Sequence, residues 1–324
     1  MHRIVVGIIV LIVLIAGESV HAQNIKVTIV VPNINASGGI TTDRHGNIYV
    51  SDFGPALGQP VTNTKVYKVN PKTWEFSVFA EGFSGASGNA FDSKGNFYQS
   101  NPFSGNVSRV SATGEIEYQW TDSTFGLPVG VIADQYDNMY VSNCTGAEII
   151  KVTPDEEISR YAKDKQFICP NGLTIDNEGN LYSINFGTGK VFKINKDSEV
   201  EVLAELPVLT GGPNPVGNGH GTWKNGFLFV TTIGRGEVYK ISPTGDVELV
   251  AGRALAFANI EGDALNAGFS KPNGIAASVT GDSLYVNVSE LPWTSSGTAL
   301  HPAHLMMISG VCSLEDVVCK DEEK

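Results

Sequence analysis

Six times along the chain one short pattern returns: a glycine, an apolar run, a polar turn, and a second apolar run carrying one aromatic residue. Pro170–Asn185, PNGLTIDNEGNLYSIN, is the clearest copy, two strands joined by a turn at Asp176–Asn180. The others are Gly39–Asp52, Gly88–Asn101, Gly130–Asn143, a degenerate Gly219–Thr232, and Gly274–Val288 with one extra residue. The aromatic falls at Tyr49, Tyr98, Tyr140, Tyr182, Phe229 and Tyr285, in steps of 49, 42, 42, 47 and 56 residues. A period of about 40–50 residues is that of a four-stranded propeller blade. The expected fold is therefore all-β, a six-bladed β-propeller.

Third strands follow at Lys65–Val69, Asn106–Val110, Glu148–Val152, Lys190–Ile194, Glu237–Ile241 and His304–Ile308. Period-2 alternation puts Lys68, Arg109, Lys151, Lys193 and Lys240 outward, on a solvated face. Fourth strands are expected near Glu75–Phe79, Glu115–Tyr118, Glu157–Tyr161, Glu199–Leu203 and Asp246–Val250, and the sixth blade has none. An apolar strand, Ile25–Val31, precedes the first repeat without a partner. Placed in blade 6 it closes the ring and removes two open sheet edges. The propeller then spans residues 23–309, and 310–324 form a polar, acidic tail.

Residues 1–22 read as a secretory signal: Arg3, an apolar run Ile4–Ala16, and a small Ala22 at the cleavage point. The run is shorter than the ~20 residues of a spanning helix, and no later run is long enough. A secreted or periplasmic protein without a membrane span is expected. Four cysteines agree with an oxidising compartment. Cys144 and Cys169 fall on one face of neighbouring blades, which suits a bridge, and Cys312 with Cys319 would close a tail loop. Four cysteines nevertheless allow three pairings. Sequons occur at Asn35, Asn106, Asn143 and Asn287. The net charge of −12 argues against a nucleic-acid partner.

The residue before each repeat glycine opens onto one end of the ring, the top face: Gly38, Ser87, Val129, Asn171, Asn218 and Asn273. Second strands end on the same face at Asp52, Asn101, Asn143, Asn185, Thr232 and Asn287. Converging amide and carboxylate oxygens suit Ca²⁺, which takes six to eight oxygen ligands. Asn before Gly is also good turn chemistry. At the other end, Asp43, Asp92, Asp134 and Asp176 read as acceptors for turn N–H groups.

Gly262–Ala276, GDALNAGFSKPNGIA, resembles an NHL repeat, with Asp263, Ala267, Phe269, Pro272 and Gly274 in order. The NGL and GN-hydrophobic-Tyr repeats look like the same superfamily, over roughly residues 25–309. It includes the gluconolactonase (senescence-marker-protein) group and the paraoxonase-like enzymes. The resemblance implies a divalent cation in the channel. A first-blade glutamate, an NG-type asparagine and an aspartate one blade further on would hold it. Asn171 matches that asparagine. Asn218 stands where the aspartate would be, and Gly38 near the glutamate. The expected metal set is Asn171, Asn218, Asn273 and Asp52, with two charges missing.

His220 follows Asn218-Gly219 and is the candidate catalytic base at the channel mouth. His301 and His304 lie in the long top-face segment Ser289–His304; with Leu206–Gly217 it would wall a pocket. Trp293, Phe186 and Phe103 would line it, beside Asn101, Asn143 and Asn185. The loss of two carboxylates favours a binding protein for a small molecule or a protein ligand on the top face. A metal-dependent lactonase or esterase is the alternative, with the cation polarising water or the carbonyl. A streptogramin-lyase-like lyase rests on similar short repeats, and the blade count of six speaks against it.

Overall fold

The computed structural model describes residues 24–209, 217–256, 258–290 and 299–319. Six antiparallel sheets form the blades, five four-stranded and one five-stranded. Blades 1 to 5 run from the channel outward in sequence order. Blade 4, for example, is Pro170–Ile175, Leu181–Asn185, Lys190–Ile194 and Val200–Glu205. The first three strands of that blade are largely buried, while the fourth alternates toward solvent. Apolar cores lie between neighbouring sheets, such as Ile184, Val191, Leu228 and Val230 between blades 4 and 5.

The ring closes as the sequence predicts. Lys26–Val31 pairs antiparallel with Ala303–Ser309, from Lys26 opposite Ser309 to Val31 opposite Leu305. A two-residue strand, Gly262–Asp263, caps this closing strand, and Asp263 meets the Lys26 ammonium. The NHL-like segment thus begins as the outer edge of blade 6. The acidic tail departs from expectation. Val311, Leu314 and Val317 are buried with Phe229, Ile275 and Ile308, so the chain at least to Cys319 packs onto blades 5 and 6. A Cys312–Cys319 disulfide staples that segment.

The bottom turns of blades 1 to 4 share one device. In blade 4, Asp176 Oδ1 accepts the backbone N–H groups of Glu178 (2.9 Å) and Asn180 (2.8 Å). Its Oδ2 accepts the Asn180 amide at 2.8 Å and the Tyr182 hydroxyl at 3.0 Å. Asp43–Asn47–Tyr49, Asp92–Asn96–Tyr98 and Asp134–Asn138–Tyr140 repeat it. Gly46, Gly95 and Gly179 supply the left-handed residue of this turn at φ 84°, 84° and 87°. Asp137 takes that place in blade 3 at φ 62° and bonds Ser93 N–H of blade 2 at 2.8 Å. Burial, then the adjacent Asp92, pushes the Tyr98 hydroxyl up to about 12.

The same tyrosines face the basic residues of the third strands, Tyr49 opposite Lys68 and Tyr140 opposite Lys151. Those ammonium groups stand 5.4 and 5.7 Å from the ring centroids. Lys68, Arg109, Lys151 and Lys193 are half-exposed, but Lys240 is buried. The packed tail covers it: Lys240 Nζ donates to Glu315 O at 2.9 Å and pairs with Glu248 at 2.7 Å.

Candidate functional site

The repeat glycines have a physical reason. At the channel neck the innermost strands of adjacent blades touch backbone to backbone. A Cβ on Gly39 would lie 2.8 Å from Gly88 Cα, and one on Gly88 would lie 2.8 Å from Gly130 Cα. A Cβ on Gly172 would lie 2.7 Å from His220 Cα, and one on Gly274 would lie 2.4 Å from Gly38 O. Backbone bonds cross the same junctions, including Gly88 N to Val129 O and His220 N to Asn273 O.

Side chains stitch every junction as well. Ser51 donates to Gln99 (2.6 Å) between blades 1 and 2, and Ser100 donates to Val129 O between blades 2 and 3. Ser142 donates to Asn171 O at 2.6 Å, and Thr231 to Asn273 O at 2.6 Å. Asn287 donates to Gly38 O at 2.7 Å, joining blades 6 and 1. Each of these residues stands two places after the repeat aromatic. In blade 4 that place is Ile184, which has no donor, and Asn171 substitutes. Its amide nitrogen reaches Asn218 O (3.3 Å) and Gly219 O (3.2 Å). Asn273 likewise gives its amide nitrogen to Ser37 O at 2.7 Å. Two of the expected metal ligands therefore hold blades together.

Above the neck lies a cavity of about 220 Å³. Phe53, Phe103, Phe186, Ile233 and Leu300 form apolar walls; Ser37, Ser87, Asn171 and Asn273 supply polar groups toward the neck. The Cys144–Cys169 disulfide joins blades 3 and 4 at the cavity wall. Leu300 and His301 of the last blade meet the first blade at the rim. Leu300 N–H donates to Pro55 O at 2.8 Å, and His301 Nε2 bonds Asp52 Oδ1 at 3.0 Å.

The other expected site residues take different places. Asp52 is held by that histidine and by Gly54 N–H at 2.8 Å. Asn101 bonds Asn106 and Ser108 of the next strand, and Asn143 tethers the loop before its blade through Leu127 N–H and Thr124 O. Asn185 and Asn218 are fully buried, with neither amide atom partnered. His220 is buried, its Nε2 has no partner, and burial drives its pKa down to about 4. His304 Nδ1 accepts Asn33 N–H at 3.0 Å, anchoring the segment after the closing strand. None of Asp52, Asn101, Asn143, Asn185, Asn218, His220, His301 and His304 is among the residues lining the cavity. Trp293 lies outside the described residues, as do most of the two long top-face segments.

Sequence reasoning passed over Lys271. It is buried, lines the cavity, and donates from Nζ to Ala299 O at 2.5 Å. Burial lowers its pKa from the ordinary lysine value. A signal was present: Leu127, Cys169 and Lys271 each stand just before the proline that precedes a neck residue, and all three line the cavity.

This donor set is short of the carboxylates that a resident Ca²⁺ site usually carries. The amides near the neck are neutral; Asn171 and Asn273 give only their nitrogens to blade-to-blade bonds, and Oδ1 of Asn218 and Asn273 is buried without a partner. The nearest expected carboxylate, Asp52, is engaged at the rim. Neither 210–216 nor 291–298 contains Asp or Glu. Among the described residues, the one cluster of three potential metal ligands is Asp282, Cys312 and Cys319, whose sulfurs are bonded to each other.

Neither a protein-family model nor a curated protein matches the chain. Solved structures do. A streptogramin B lyase is 14% identical, with a TM-score of 0.60 over 89% of this chain and 99% of that one. A gluconolactonase of Xanthomonas campestris is 14% identical, with a TM-score of 0.62 over 87% and 89%. A protein of unknown function from Bacteroides thetaiotaomicron is 13% identical, with a TM-score of 0.65 over 88% and 76%. The fold is that of the six-bladed β-propellers. Gluconolactonase-like propellers are among its structural neighbours, as the repeat pattern implied. The lyase aligns over nearly its whole length, so the fold does not set the lyase reading aside as the blade count was expected to.

Proposed function

We propose that this propeller binds a small, largely apolar molecule in the top-face cavity and performs no metal-assisted chemistry on it. The observation that carries the reading is the lining of the cavity: aromatic and aliphatic walls over a floor of a few polar groups, set on a neck packed backbone to backbone. A volume of about 220 Å³ suits a compact ligand. A hydrolase of the lactonase type would need a base at the substrate. His220 is outside the cavity lining, and a pKa of about 4 leaves it a weak base near neutrality. The neutral donors near the neck supply no carboxylate to a cation-assisted step.

Export belongs to the same reading. Two disulfides support it, because such bonds persist in oxidising compartments. Among the described residues no helix is long and apolar enough to cross a membrane.

Octanol is a suitable probe for calorimetric titration. Saturable 1:1 binding to the wild type, lost in Ile233→Trp with an unchanged melting temperature, is the expected result. No saturable heat with the wild type would overturn the proposal.

A further inference from the structure

We infer that the staple of the tail is also a metal site. Once the Cys312–Cys319 disulfide is reduced, its two thiolates and the Asp282 carboxylate hold a zinc-class divalent cation. The site lies at the bottom of the ring, and nothing in the inference depends on what the top-face cavity binds.

Three segments of the chain meet there. Asn225 sits in the bottom turn of blade 5, between Asn218–Lys224 and Phe227–Thr232. Asp282 ends the bottom turn of blade 6, between Ile275–Ala277 and Ser283–Ser289. The tail brings Cys312 and Cys319. Both sulfurs and a carboxylate oxygen of Asp282 lie within 4.8 Å of one another. A tetrahedral zinc site with Zn–S bonds of about 2.3 Å separates its sulfurs by about 3.8 Å. The parting of the two sulfurs is therefore the main movement that metal binding requires. Cys312 N–H donates to Asp282 Oδ1 at 3.2 Å, and Val311 N–H donates to Asp282 O at 3.0 Å, so the carboxylate is already tied to the tail. Asn225 Nδ2 donates to Cys319 Sγ at 3.1 Å, and such a bond favours a thiolate over a thiol. Gly281 leaves room for that amide, since a Cβ there would lie 2.2 Å from Asn225 Nδ2.

Two thiolates with one carboxylate suit Zn²⁺, Co²⁺ or Cd²⁺ and discriminate against Ca²⁺ and Mg²⁺, with water completing the shell. The chemistry balances. A dithiol or phosphine reductant gives the disulfide two electrons, and with two protons the sulfurs become two thiols. The cation then displaces both protons to solvent as two metal–sulfur bonds form. Disulfide and metal are alternative closures of one clasp, and either keeps Val311, Leu314 and Val317 against blades 5 and 6. The metal-closed form belongs to the chain in a reducing compartment, before export and oxidation.

Co²⁺ is the probe, because cobalt–thiolate bonds absorb in the near ultraviolet and Zn²⁺ displaces the cobalt. Titrating the phosphine-reduced full chain should give a saturable charge-transfer band at one ion per chain, bleached by Zn²⁺ and absent from the oxidised protein. Cys312→Ala should abolish the band, although Cys144 and Cys169 are reduced in the same sample. Asp282→Asn keeps an acceptor for Cys312 N–H but loses the charge. It should weaken Co²⁺ by at least the roughly tenfold that losing an outer partner of a metal ligand costs. No band with the reduced wild type overturns the inference, as does a band that survives in Cys312→Ala or an affinity unchanged in Asp282→Asn. Should the variants fail to fold, hydrogen exchange of residues 311–319 in the unsubstituted chain decides it. Zn²⁺ should return to the reduced protein the protection that the oxidised one has, and no change on adding Zn²⁺ overturns the inference.

Discussion

The two ends of this propeller are built by opposite rules. At the bottom, four of six turns carry the same Asp–Asn–Tyr set, with the carboxylate satisfying two backbone and two side-chain donors each time. At the top the described groups vary from blade to blade: a disulfide joins blades 3 and 4, a His–Asp pair joins blades 6 and 1, and a single lysine lines the cavity. Between them the neck repeats its geometry but not its residues, using serine, threonine or asparagine for one task. Repetition here marks what holds the ring together. Departure from the repeat coincides with the cavity proposed to take a ligand.

Deleting residues 24–31 should have the largest effect, because it strips the closing strand and opens blade 6. Cooperative thermal unfolding should be lost; an unchanged melting temperature would break the claim that closure governs the whole ring. A single neck change comes next. Gly88→Val would place a Cβ 2.5 Å from Val129 O, and backbone on both sides leaves no room to yield. A loss above about 4 kcal/mol in urea unfolding is expected, whereas a loss under 1 kcal/mol would mean the neck is looser than described.

Asp176→Ala should cost less, about 2–4 kcal/mol, because it strands the Asn180 amide and the buried Tyr182 hydroxyl. The comparable Asp43 also predicts a pH effect. Burial works against its ionised form, but bonds from Asn47 and His45 outweigh it and hold the carboxyl below its usual value of 3.8. With the folded pKa depressed, its stabilisation is present above the unfolded value and fades as pH falls through the folded one. The stability gap between wild type and Asp43→Ala, read from urea unfolding, should therefore shrink below about pH 4. A gap independent of pH would contradict this.

The smallest effect separates two asparagines that the sequence could not tell apart. Asn171→Leu removes a blade-to-blade bond and should cost about 1–2 kcal/mol. Asn218→Leu replaces an amide with no partner and should be neutral or stabilising. Equal costs in the two variants would blur the distinction between stitching and idle amides.

What was legible in the sequence follows from distance along the chain. The Asp–Asn–Tyr set is local, at offsets of four and six, so Asp43, Asp92, Asp134 and Asp176 could be placed from spacing alone. The closing strand was legible because an unpartnered strand and a blade lacking one leave a single economical pairing. The role of Asn171 was not, since it depends on Ile184 failing to donate across a blade junction. Lys240 was misread as solvated because its cover comes from Glu315, 75 residues on. His304 looked like a pocket residue, yet its partner Asn33 lies 271 residues away in sequence. Lys271 stood inside a motif whose glycine and asparagine drew the reading toward turns and metals.

The central claim is that the cavity, and not the neck, is the ligand site. A crystal soaked in both octanol and millimolar Ca²⁺ tests it directly, with anomalous scattering to identify any ion. The account predicts octanol among Phe103, Phe186 and Leu300, and no anomalous peak at the neck. A calcium peak held by Asn171, Asn218 and Asn273, with no octanol above it, would contradict it.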